Sequence, residues 1–154
     1  MILPSDLIEA LVAKLRDIPD LVGEVGGDEE RIFAYHDRYP DRSRLMDAIH
    51  QQPIPSVMVA WQGSDQGSRG DFGAWRHHLS LYLRAKEEYG DLPDGYYRLY
   101  RLICEGVPAG GDGLRMIDAT VHDGCDPLME VPRIARQLDG PLDYFEVQMS
   151  FIEK

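Results

Sequence analysis

Asp118, His122, Asp123 and Cys125 form the densest group of chemistry-bearing residues in the sequence. Their types can bind a metal ion or form a Cys-His nucleophile pair. The spacing matches no short zinc motif, and no second Cys/His pair accompanies it. Polar residues are also what a strand end entering a turn calls for, as at Asp123-Gly124-Cys125-Asp126-Pro127. His77 and His78 are neighbours in an alternating segment, so their side chains point to opposite faces and cannot share one metal. His77 falls on the apolar face and is expected to be a hydrogen-bonded core or interface residue. His36-Asp37 sits at the end of a short strand pattern.

The glycine clusters do not read as phosphate loops. Gly106 to Gly113 lacks a Lys-Ser/Thr pair, and the cluster that starts at Gly63 opens no apolar helix. Arg69-Gly70-Asp71 spells an adhesion tripeptide, but it is read as loop sequence because nothing marks the chain as secreted. No nucleophile elbow or metalloprotease helix motif is present. The expectation is a protein that is not an enzyme and uses no cofactor or metal.

The bulk properties agree with a single domain spanning residues 1–154. The chain has 154 residues, 44% hydrophobic and 28% charged, a balance that builds one core. Its net charge of −11 argues against gripping nucleic acid, since that affinity comes from Lys and Arg displacing counterions. Cys104 and Cys125 are too few for a disulfide framework, and Cys104 falls in a helical apolar pattern. The first residues show no basic region followed by an apolar run, so no signal peptide is expected. No apolar stretch reaches the roughly 18 residues of a membrane span.

The elements that would position these residues follow from periodicity. Leu7, Ile8, Leu11, Val12, Leu15 and Ile18 make one helical stripe, with Ser5 or Asp6 as cap and Pro19 as terminator. Gly23 to Asp28 reads as a loop and residues 31–36 as a short strand. Leu45, Met46 and Ile49 suggest one or two helical turns in a polar stretch. Residues 55–61 and 75–84 are strands; in the second, Trp75, His77, Leu79, Leu81 and Leu83 form the buried face and the alternate residues a largely wet one. Between them, Gly63, Ser64, Asp65, Gln66, Gly67, Ser68, Arg69, Gly70, Asp71, Phe72 and Gly73 read as a long polar loop, the candidate interface segment. A second helix spans Asp94 to Glu105, with Tyr96, Leu99, Tyr100 and Ile103 inward and Gly106 as stop. Strands are expected over 114–121, 128–137 (a weaker one, at an edge or with a bulge, given Pro132) and 143–152. Strands dominate without βαβ alternation, which predicts an α+β fold: a mainly antiparallel sheet with the N-terminal helix and a second helix packed on one face.

Four of these segments together resemble the tail-terminator (tail-completion) family of siphophages and gene-transfer agents. They are the opening helix Leu7-Ile8-Glu9-Ala10-Leu11-Val12-Ala13-Lys14-Leu15 and the proline-led strand Pro55-Ser56-Val57-Met58-Val59-Ala60-Trp61. The others are the long strand Trp75 to Arg84, running into the Tyr-rich helix Gly95 to Cys104, and the strand Tyr144 to Ile152. The resemblance spans nearly the full length and is one of pattern. It implies a ring-shaped homo-oligomer, usually a hexamer, seated on the last ring of tail tube protein. Such a ring stops tube growth and offers its other face to head-completion (stopper) proteins, in the virion at the tail–neck junction after synthesis in the host cytoplasm. DNA would pass through its lumen without specific binding, and no membrane would be involved. Two other readings stand beside it: another neck or tail-tube component, and a small α+β enzyme or ligand-binding protein using Asp118, His122 and Cys125.

Overall fold

The computed structural model describes residues 2–37, 41–66, 75–87, 93–108, 125–127, 133–139 and 142–153. Helix α1 (Pro4–Arg16) and the short α2 (Pro19–Glu24) lead through a 3₁₀ turn at Glu29–Arg31 into β1 (Ile32–Tyr35). Helix α3 (Arg42–Gln51), the long pair β2 (Ser56–Gln66) and β3 (Trp75–Arg84), and α4 (Asp94–Gly106) follow. The chain continues through β4 (Cys125–Pro127), β5 (Arg133–Asp139) and β6 (Leu142–Glu153).

The fold is α+β. The six described strands form one sheet in the order β1-β2-β3-β6, with β4 and β5 both on the far side of β6. Only β1 and β2 run parallel; every other described pair is antiparallel. The main core lies between one face of this sheet and α1, α2 and α4. Leu7, Leu11 and Leu15 of α1 and Leu99 and Ile103 of α4 meet Leu79, Leu81, Leu83, Val147 and Phe151 there. The alternation in β3 therefore has the expected register: His77, Leu79, Leu81 and Leu83 are buried and Trp75 is half-buried.

The opposite face is not left wet. Ser80 and Tyr82 are buried, and α3 lies across that side. There Ile49 packs with Met58, Ala60, Tyr82 and Tyr144 as a second, smaller cluster. The polar composition of residues 41–52 hid a helix of ten residues, because only a narrow stripe of it touches the sheet. Asp41 caps it by accepting from the backbone N–H of Ser43 at 3.0 Å.

Several local expectations shift. Helix α1 starts at Pro4 with Leu3 at its cap, and neither Ser5 nor Asp6 caps it. It ends at Arg16, while Pro19 opens α2, a placement where a missing N–H costs nothing. Gly23 and Glu24 thus belong to α2, not to a loop. Gly106 is the last residue of α4, not a left-handed stop. A Cβ added to it would collide with the Ile18 side chain, so glycine is required there for close packing. The expected strand over 114–121 lies outside the described residues. Residues 128–132 of the next expected strand, with Pro132, lie outside the described residues; β5 begins at Arg133 and pairs only with β6 among the described strands.

Candidate functional site

The candidate loop begins later than its composition suggests. Gly63, Ser64, Asp65 and Gln66 continue β2 and pair with His78, His77, Arg76 and Trp75. The register shifts between Trp61 and Gly63, and this β-bulge leaves Gln62 without an opposite residue. Gly63 takes φ +146°, a conformation that L side chains rarely adopt, which is why glycine stands there. Glycine and polar composition imitated a loop where a bulged strand is built. Gly67, Ser68, Arg69, Gly70, Asp71, Phe72 and Gly73 lie outside the described residues. So do Asp118, His122 and Asp123. Of that group only the backbone of Cys125, in β4, is described.

The bulge has a chemical consequence. It returns Ser64 to the face of Trp61 and His77, and a chain of hydrogen bonds forms there. Trp61 Nε1 donates to Ser64 Oγ at 3.0 Å, and Ser64 Oγ lies 2.6 Å from His77 Nδ1. His77 Nε2 lies 3.0 Å from Glu153 Oε2, which also accepts the backbone N–H of Ile2 at 3.1 Å. A carboxylate only accepts, so Nε2–H donates to Glu153. His77 is the hydrogen-bonded core histidine that its position on the apolar face predicted.

A serine, a histidine and a carboxylate in series invite comparison with a nucleophilic triad. That chemistry needs a concave site beside the serine oxygen. The groove between α1 and α3 is lined by none of these three residues, and the serine oxygen is already engaged by the Trp61 indole. The arrangement is a buried fastener joining both ends of the described chain to the middle of the sheet. His78, on the other face, makes a separate set of contacts with Ser150 Oγ at 2.9 Å and Asp65 Oδ2 at 2.7 Å. Among the described residues no three His, Cys, Asp or Glu side chains converge as metal ligands.

The groove measures about 1030 Å³ and opens where β1 stops and β2 runs on. The first turns of α1 and the N-terminal half of α3 wall it, and its floor carries Ala60, Gln62, Tyr82 and Tyr144. Tyr82 and Tyr144 meet edge to face with ring centroids 5.8 Å apart. Gln62 Nε2 donates to the Tyr82 hydroxyl at 2.7 Å. Five carboxylates, from Asp6, Glu9, Asp37, Asp41 and Glu146, face one arginine, Arg42, and one histidine, His36. Glu9 holds His36 at 2.8 Å, and Asp37 lies 3.6 Å from Arg44 while accepting from the Tyr35 hydroxyl at 2.9 Å.

The phenols register this setting. Burial raises the pKa of Tyr82 well above the ordinary phenol value, and the Glu146 charge adds to it. Burial, then the hydrogen bond to Asp37, raises that of Tyr35. Sequence reading missed this groove because Tyr82 falls on the face of β3 expected to be largely wet. Tyr82 pairs with Glu146, two residues along β6 from Tyr144, so the two rings meet diagonally across neighbouring strands.

No family model matches the chain, and no curated protein sequence matches it. No described helix is long and apolar enough to cross a membrane.

Proposed function

We propose that the chain is a structural assembly subunit of the tail-terminator type, which closes into a ring on a phage tail tube, stops its growth and joins it to head-completion proteins. The observation that carries this reading is the edge of β2. Residues 61–66 run past the end of β1 and, among the described strands, pair only with β3, which β6 holds on its other side. This stretch of edge beside the groove suits contact with a neighbouring subunit. The same edge suits another neck or tail-tube component, so capping itself needs the test.

The acidic balance belongs to this reading. With DNA in the bore, a lining without excess Lys and Arg releases no counterions and gives DNA no sticking points. The decisive experiment is negative-stain imaging of the purified protein, alone and mixed with polymerising tube protein. Rings alone and tubes of arrested length bearing an end cap are expected. Tubes that grow to the same length with and without the protein would refute capping.

A further inference from the structure

The groove lies where the sheet lacks an edge strand. β1 stops at Tyr35, opposite Ala60, and among the described residues no strand takes its place beside residues 61–66 of β2. The first turns of α1 and the N-terminal half of α3 wall this stretch of edge. Trp61 and Gln62 turn to opposite faces there, the indole to Ser64 and the amide to the Tyr82 hydroxyl. Trp61 is 40% exposed, yet its N–H already has a partner, so the ring is held in place before any contact is made. A fixed and exposed aromatic side chain is a good anchor for a protein contact, because little freedom is lost when it is covered.

The charge around this edge is one-sided. Glu9, Asp37, Asp41 and Glu146 have partners within the chain, but the cations near them are too few to neutralise them. Five lining carboxylates stand against Arg42 and the neighbouring Arg44, and the balance stays negative even with His36 protonated. Asp6, exposed in the first turn of α1, has no ion-pair partner among the described residues. We infer that this edge takes an extended, basic segment of a different protein as an added strand, in line with β1. The backbone of residues 61–66 gives the segment hydrogen bonds, and its alternate side chains give specificity. The bulge between Trp61 and Gly63 divides the edge, so pairing is short and side chains set the register. A Lys or Arg of the segment lays its stem on the Trp61 ring and sets its charged head in the acidic field, where Asp6 is the carboxylate with no other claim on it. A second copy fits less well, since the chain carries 27 Asp and Glu against 16 Lys and Arg and copies repel at an acidic site. The tail-terminator reading makes the partner a tube or head-completion protein; the contact itself rests on the groove alone.

The test is calorimetric titration of the whole chain with a short capped peptide of alternating Arg and Thr, and with its Glu-Thr counterpart. The Arg peptide is expected to bind and the Glu peptide not to. Trp61→Ala and Asp6→Lys should each weaken binding on the order of tenfold. Asp20→Lys makes the same charge change in the first turn of α2, outside the groove, and should leave binding unchanged. Circular dichroism checks that each variant folds, and Asp6→Lys carries the test if Trp61→Ala does not. Residue-resolved hydrogen exchange should slow at amides within 61–66 once the peptide is bound. Absence of binding, equal binding of the two peptides, folded groove variants that bind like wild type, an Asp20→Lys loss equal to that of Asp6→Lys, or unaltered exchange over 61–66 would each overturn the inference. So would self-association of the chain that Asp6→Lys abolishes, since the occupant is then a second copy. Peptide binding by a protein that leaves tube growth unchanged would instead sink the capping role and leave this contact standing.

Discussion

Replacing Glu153 with alanine removes the acceptor shared by two buried donors, the His77 Nε2–H at 3.0 Å and the Ile2 backbone N–H at 3.1 Å. His77 is fully buried and the Glu153 side chain is 7% exposed, so water does not readily replace the lost oxygen. Leaving a buried donor unsatisfied costs about 1–3 kcal/mol, which puts Glu153→Ala at roughly 2–6 kcal/mol for the two. That is a large share of the about 5–15 kcal/mol that holds a domain together. Glu153→Gln keeps an acceptor oxygen and should lose less than half as much. Urea unfolding, followed by circular dichroism and by tryptophan fluorescence, gives these numbers; Trp61 belongs to the same network through Ser64. A cycle with His77→Leu measures the coupling, and removing both partners should cost less than the sum of the single changes. A Glu153→Ala loss below about 1 kcal/mol, or an additive cycle, would refute the fastener.

Further outcomes can be checked alongside. Leu81→Ala, at a fully buried position in the main core, should cost about 2–5 kcal/mol in the same unfolding assay. Gly106→Ala should destabilise by about 1–3 kcal/mol through overpacking against Ile18, and Ile18→Val in the same chain should regain part of it. Tyr82 has a raised folded-state pKa, so above the ordinary phenol value of 10.0 the unfolded chain gives up its proton first. The stability from neutral Tyr82 is complete below that pH and falls as the pH rises beyond it; Tyr82→Phe should flatten this decline in urea titrations run at increasing pH. Purified assembled protein should show no salt-sensitive affinity for duplex DNA at low ionic strength, and such binding would revive a DNA-contacting role.

The apolar stripe of α1, the alternation of β3 and β6 and the stripe of α4 were all legible in the sequence. In each, a local period of 3.6 or 2 records which face is buried, and the main core follows from those faces alone. The parallel pairing of β1 with β2 was not legible, since a four-residue strand carries no mark of its partner. Helix α3 was read as a turn or two, because it buries few residues in a small satellite cluster. Its arrival over Tyr82 and Tyr144 turned a face expected to be wet into the floor of a groove. Gly63 to Gln66 had a loop's composition and became strand, because pairing with β3 outweighed local propensity. His77 shows the division most sharply. Its place in an apolar alternation marked it as a buried, hydrogen-bonded histidine. Only tertiary structure chose Ser64 across the hairpin and Glu153, 76 residues away, as its partners. Sequence fixes which side chain must find a partner once buried, and chain crossings far from it decide which group answers.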